Sequence, residues 1–198
     1  FMLYCFDQPE GRTSVPGRLI LASSSPRRRE LLAAMGVEFE VVSPETDEDI
    51  RGTPGEMTRG LAQRKARAVS ASHPSDTVLA ADTLVCVAGA VLGKPADVAD
   101  AARMLAMLSG VWHEVHTGVC VIAGGEEQLG HAVTRVRFSP MTAAEIAFYC
   151  ASGEPMGKAG AYAIQGLGGM FIEEISGSYS NVVGLPTGLV YRMLCRAG

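Results

Sequence analysis

Apolar positions fall along the chain in two rhythms. Dense short runs near 18–22, 38–43, 77–87, 115–123, 130–138 and 169–175 carry the β-branched and aromatic residues of strands. Between them, stretches near 26–35, 54–70, 97–108, 142–150 and 187–195 space their apolar residues three and four apart, as helices do. The alternation predicts a mixed α/β fold. Local signals sharpen the boundaries. Thr53-Pro-Gly-Glu56 and Thr142-Ala-Ala-Glu145 have capping-box spacing, the first with Pro at N1. Gly36 and Gly110 stand where glycines that end helices belong, and Gly124-Gly125 reads as a turn between two strands. No repeat, heptad or low-complexity tract interrupts the pattern.

Polar residues that break this pattern are the informative ones. Ser23-Ser-Ser-Pro-Arg-Arg-Arg29 separates a strand run from a helix pattern, with Ser25 as N-cap and Pro26 as first helical residue. Three arginines then occupy a first turn that already carries positive partial charge, so the turn wants an anion, and phosphate suits N–H groups, hydroxyls and guanidinium forks together. At 100° per residue Arg28 heads the apolar row of Leu31, Leu32 and Met35, Arg27 lies at its edge, and Arg29 faces solvent. Asp82 interrupts Thr77-Val-Leu-Ala-Ala-Asp-Thr-Leu-Val-Cys-Val87, a run apolar enough for a central strand, where a carboxylate is costly unless it is paired or metal-bound. That points to a catalytic or metal-binding role. Lys94 follows the Gly89 turn, and a hairpin there folds it back toward Asp82. The loop Ser43-Pro-Glu-Thr-Asp-Glu-Asp49 concentrates carboxylates that gain from a cation, without EF-hand spacing. Lys65 shares the edge of an apolar row with Leu61 and Val69, which by itself describes a snorkelling lysine.

Other motifs exclude more than they suggest. Gly153 to Gly160 is no P-loop, since three residues separate Gly153 from Gly157 and Ala159 follows Lys158; position 171, where a dinucleotide fingerprint needs glycine, is Phe. The glycines around Tyr162 and Gln165 read instead as turns close to a ligand, with Gln165 able to pair with a base edge. His113 and His116 lack zinc-protease spacing and belong to the start of a strand.

With 198 residues, 47% of them hydrophobic, the chain is long enough for one well-buried domain. A net charge of −4 argues against general binding to nucleic acid or anionic membrane, so any polyanion site is local. The five scattered cysteines form no zinc pattern and read as buried thiols of a reducing compartment. Residues 1–17 read as a loose leader without signal-peptide character, and no run reaches bilayer length, so a cytoplasmic location is expected.

Taken together, Leu19-Ile-Leu-Ala-Ser-Ser-Ser-Pro-Arg-Arg-Arg-Glu-Leu-Leu32, Ala80-Ala-Asp-Thr83, Leu92-Gly-Lys-Pro95, Gly153-Glu-Pro155, Lys158-Ala-Gly-Ala-Tyr-Ala-Ile-Gln-Gly-Leu-Gly168 and Gly177-Ser-Tyr-Ser-Asn-Val-Val-Gly-Leu-Pro186 closely resemble the Maf family, in order across the chain. The resemblance implies one domain over 18–198, an elongated mixed α/β sheet with flanking helices and two lobes around a cleft, similar to inosine triphosphatases, often a homodimer. It implies a nucleoside triphosphate pyrophosphatase using Mg²⁺ or Mn²⁺. Asp82 matches the family's proton acceptor and, with Glu48 of the acidic loop, its metal site. Ser23, Arg28, Lys65 and Lys94 match groups lining the phosphates. Three further positions separate substrate branches. Arg27, Thr83 and Gln165 match the branch acting on dTTP and UTP, with modified pyrimidine nucleotides as further candidates, rather than the branch preferring 7-methyl-GTP. A neutral glutamine suits a pyrimidine imide, whereas a carboxylate suits a cationic methylated guanine. The rival from another class is a nucleotide-binding regulator of septum formation or growth arrest that acts without turnover.

Overall fold

The structure, a computed structural model, describes residues 2, 3 and 13–198. Most of the expected leader, with Cys5, lies outside the described residues; of the rest, β1 (Met2–Leu3) and β2 (Thr13–Ser14) pair antiparallel. From Val15 onward the chain is built into the fold: Val15 is buried in the core, and the Thr77 hydroxyl donates to the Pro16 carbonyl at 2.8 Å.

Chain order continues through β3 (Leu19–Ala22), α1 (Pro26–Ala34), β4 (Glu40–Val42), α2 (Pro54–Ser70), β5 (Thr77–Val87), β6 (Ala90–Leu92), α3 (Val98–Leu108), β7 (Trp112–Ala123), β8 (Glu126–Phe138) and α4 (Ala143–Ala151). Two 3₁₀ turns, Ala159–Ala161 and Leu167–Phe171, precede β9 (Ile172–Ser176), α5 (Tyr179–Val183) and α6 (Thr187–Ala197). The mixed α/β expectation holds. Seven strands form one sheet in the order β4-β3-β5-β7-β8-β9, with β6 added to β5. β3 runs parallel to both β4 and β5, while β6 and β9 pair antiparallel with β5 and β8.

By internal contacts the chain forms two compact units: one ends at Asp82 and is continued by Thr117–Ala132 and Gly184–Gly198, and the other comprises Thr83–His116 and Val133–Val183. In the first, strand alternation sorts side chains to the two faces of the sheet. Leu19, Leu21, Leu79, Ala81, Val119 and Val121 pack with Leu32 of α1 and Val190, Met193 and Leu194 of α6. Ile20, Ala22, Val78, Ala80, Cys120 and Ile122 pack on the opposite side with Ala62, Ala66 and Val69 of α2. Gly118 lets α2 approach closely, for a Cβ there would lie 2.3 Å from the Thr58 carbonyl. The second unit has its own core of Val85, Leu105, Leu108, Val136, Phe138 and Tyr149 with their neighbours.

Both capping boxes form as expected, and Gly36 and Gly110 adopt φ of 71° and 70° after their helices. Gly124 and Gly125 both have positive φ, the requirement of a two-residue hairpin turn. Departures cluster near the C-terminus. The strand expected over 169–175 begins only at Ile172, because Gly166, Gly168 and Gly169 favour the tight 3₁₀ turn ahead of it. The short helix α5 was not anticipated, since one turn is too brief to show a helical period. The reading of every cysteine as a thiol is also corrected: Cys86, Cys120 and Cys150 are free, but Cys195 is disulfide-bonded, a pairing linear spacing does not reveal. No helix among the described residues is long and apolar enough to cross a membrane.

Candidate active site

The parallel register places the site. Ala22 at the end of β3 pairs with Ala80 of β5, so Ser23 and Asp82 both follow the carboxyl end of that pairing, where α1 also begins. Crevices outside the carboxyl ends of parallel strands are where α/β sheets commonly bind ligands. Alternation turns Asp82 to the same side as Val78 and Ala80, the side covered by α2.

Lys65 of α2 meets it there. Its Nζ donates to Asp82 Oδ1 at 2.6 Å and to Glu48 Oε1 at 2.8 Å. The Lys65 and Asp82 side chains are each 12% exposed and Glu48 is 55% exposed, so the triad runs from the interior to solvent. A cation next to Asp82 is thus Lys65, and the snorkelling reading of Lys65 gives way to a buried ion pair. The Lys65 ammonium reaches Asp82 through Oδ1. The acidic loop has a second clamp that the sequence did not disclose. The Arg64 guanidinium donates to the Asp49 carbonyl at 2.8 Å and the Asp47 carbonyl at 3.3 Å, holding Glu48 between them. Because Arg64 binds backbone, no carboxylate spacing could have signalled it.

At α1 the expected anion-binding turn takes shape with one change. Ser25 occupies the N-cap position but makes no side-chain cap bond, and the first turn holds no acidic residue. Ser23 is the working hydroxyl: its Oγ accepts from Ser25 N at 3.2 Å and from Arg28 Nη1 at 3.4 Å. Arg28 Nε also donates to the Gly184 carbonyl at 2.8 Å, and the φ of 124° at Gly184 is one that side chains with a Cβ rarely adopt. Burial pulls the Arg28 guanidinium pKa below its ordinary value; the Asp82 and Glu48 charges oppose this and Arg27 reinforces it. Four charged side chains thus share one field. Arg27 is half-buried, its pKa lowered chiefly by burial, and Arg29 is exposed.

Thr83, Lys94 and Gln165 belong to the second unit. Thr83 and Gln165 are half-buried and Lys94 is exposed. The expected β5–β6 hairpin forms, its last pair being Val85 with Leu92, two residues short of Lys94. Tyr162 is buried, with His113 Nε2 2.8 Å from its hydroxyl and Phe138 edge-on to its ring. His113 and His116 stand at the start of β7, as the sequence indicates. Among the described residues no group of three or more His, Cys, Asp or Glu could hold a metal.

A family model described as Maf-like protein matches residues 18–197. A dTTP/UTP pyrophosphatase of Symbiobacterium thermophilum is 52% identical over 183 residues, covering 91% of this chain and 94% of the relative. A Deinococcus radiodurans protein of the same name is 52% identical over 182 residues, covering 91% and 93%, and one from Thermococcus gammatolerans is 48% identical over 175 residues, covering 88% and 94%. With the serine-arginine turn, the buried Asp82 and the glycine-rich segments inside that matched span, the chain belongs to the Maf-like protein family.

Proposed function

We propose that this chain is a nucleoside triphosphate pyrophosphatase that hydrolyses dTTP and UTP to the nucleoside monophosphate and pyrophosphate. The observation that carries the reading is the convergence of Asp82 and Glu48 on Lys65 within the field of Arg28 at an uncapped helix start. Relatives at about half identity bear the matching name. Kinship in fold with inosine triphosphatases and assembly as a homodimer belong to the same proposal.

Asp82 accepts the proton of a water that attacks the α-phosphorus in line with the oxygen bridging to the β-phosphorus. The bond from the α-phosphorus to that bridging oxygen breaks, and pyrophosphate departs with the electron pair. General-base assistance of this kind contributes roughly 10²–10⁴-fold. Lys65 fixes Asp82 Oδ1 and so aims Oδ2 at the water. Ser23, Arg28, Lys94 and the N-terminal turn of α1 hold the phosphates and offset the charge that develops on the leaving group. Arg27, Thr83 and Gln165 select the base, with the Gln165 amide pairing with the imide of thymine or uracil.

Two carboxylates sharing one cation fit a divalent ion that arrives with substrate phosphates, the donor set Mg²⁺ commonly takes. Glu48 and Asp82 would hold it, and when bound it would neutralise phosphate charge.

The test is product analysis after incubation with dTTP or UTP and Mg²⁺. Equimolar monophosphate and pyrophosphate are expected. Nucleotide binding without pyrophosphate release would overturn the reading in favour of a regulator.

A further inference from the structure

The segment carrying Gln165 is wrapped around two side chains that the chemistry above does not use. The Tyr149 hydroxyl donates to Glu154 Oε1 at 2.7 Å and accepts from the Ala163 backbone N–H at 3.1 Å. On the other flank of Gln165, Leu167 N donates to Glu154 Oε2 at 3.0 Å and Gly168 N donates to Oε1 at 2.9 Å. The residues two before and two after the glutamine thus hang on one hydrogen-bonded pair. Tyr149 is fully buried at the end of α4, and the Glu154 carbonyl is fastened in turn by Lys158. Burial alone would raise the Glu154 pKa, but the hydrogen bonds from Gly168, Tyr149 and Leu167 outweigh it and hold the group below its ordinary value.

The glycines of this segment are shaped to the same carboxylate. Gly166 has φ of 97°, and a Cβ there would lie 2.5 Å from Glu154 Oε2. A Cβ at Gly168 would lie 2.4 Å from the Ala163 carbonyl and 2.5 Å from the Tyr149 hydroxyl. The backbone therefore closes on Tyr149 and Glu154 at a distance that only glycine allows, and the half-buried Gln165 is the polar side chain displayed at its middle.

We propose that Tyr149 and Glu154 are positioning residues that aim the Gln165 amide, and that base preference depends on this pair as much as on the glutamine. The inference rests on the pyrophosphatase reading above. A base-reading amide discriminates only when held in place, and a misplacement of about 1 Å can cost roughly 10²-fold. Glu154→Gln keeps the shape but puts an amide where the carboxylate accepts three hydrogen bonds, and Tyr149→Phe deletes the hydroxyl alone.

The experiment measures kcat and KM for pyrophosphate release from UTP and from GTP, with Mg²⁺, for wild type, Glu154→Gln, Tyr149→Phe and Gln165→Ala. All three variants should lower the UTP:GTP ratio of kcat/KM by roughly 10- to 100-fold, with the loss carried mainly by the KM for UTP. An equal loss for both nucleotides, with the ratio preserved, would mean a merely structural role and overturn the proposal, as would an unchanged ratio in Gln165→Ala. Should Glu154→Gln fail to fold, the smaller change Tyr149→Phe decides the matter. A wild-type chain that releases no pyrophosphate from any triphosphate removes the underlying reading as well, whereas an active wild type with variants of unaltered ratio refutes the positioning role alone.

Discussion

Glu48, Lys65 and Asp82 come from a loop, a helix and a strand, and their meeting is the contact on which the proposed chemistry rests. Asp82 was legible in the sequence because a carboxylate inside an apolar strand run needs a partner. Its partner was not, because Lys65 at the edge of an apolar row looks the same whether it snorkels or pairs. Breaking a buried ion pair by removing one member costs about 3–5 kcal/mol, since the remaining charge stays desolvated. Lys65→Met should therefore lose stability on that scale and lose pyrophosphate release. Adding Asp82→Asn should restore most of the stability but none of the activity, a non-additivity readable by urea denaturation. If the two single losses simply add, the pair is not coupled as described. Arg64 and Gly184 escaped the sequence because both act through backbone carbonyls, which carry no side-chain signature.

At the scale of elements, α2 positions Lys65, and two features of its seating have separable consequences. Its start is fixed by the Thr53–Glu56 capping box, plain in the sequence. Thr53→Ala should cost about 1 kcal/mol in thermal unfolding while kcat stays near wild type, because the cap lies three turns from Lys65. Its distance from the sheet is fixed at Gly118, which no pattern in β7 singled out. Gly118→Ala forces a Cβ against the Thr58 carbonyl. It should cost about 1–3 kcal/mol and also depress kcat, since α2 must move and carry Lys65 with it. A Gly118→Ala protein with full kcat would separate α2 seating from catalysis. Strand and helix placement was read well where periodicity ran long, as in β5 and α2. The reading weakened over 159–183, where glycines set turn geometry that apolar spacing does not record.

Across the molecule, each compact unit has its own core, and the second carries a buried group that is sensitive to pH. In the second unit His113 is 2% exposed, and burial pushes its pKa from 6.5 to about 4. The unfolded chain therefore binds this proton between those values while the folded one does not, so stability falls as pH drops through that window, by on the order of 3 kcal/mol in total. Denaturation of wild type and His113→Gln from pH 7 to pH 4 should show a smaller loss in the variant; parallel curves would show that His113 does not govern this slope. The cluster of His113, Tyr162 and Phe138 was invisible in sequence because its members come from two strands and a turn far apart in the chain.

The central claim, that Asp82 carries out the hydrolysis while Lys65 holds it in place, is tested most directly by Asp82→Asn. The substitution preserves shape and removes the proton acceptor. Pyrophosphate release from dTTP with Mg²⁺ should fall by at least roughly 10²–10⁴-fold, with cooperative unfolding retained. Turnover within a few-fold of wild type, in a protein that still unfolds cooperatively, would contradict it.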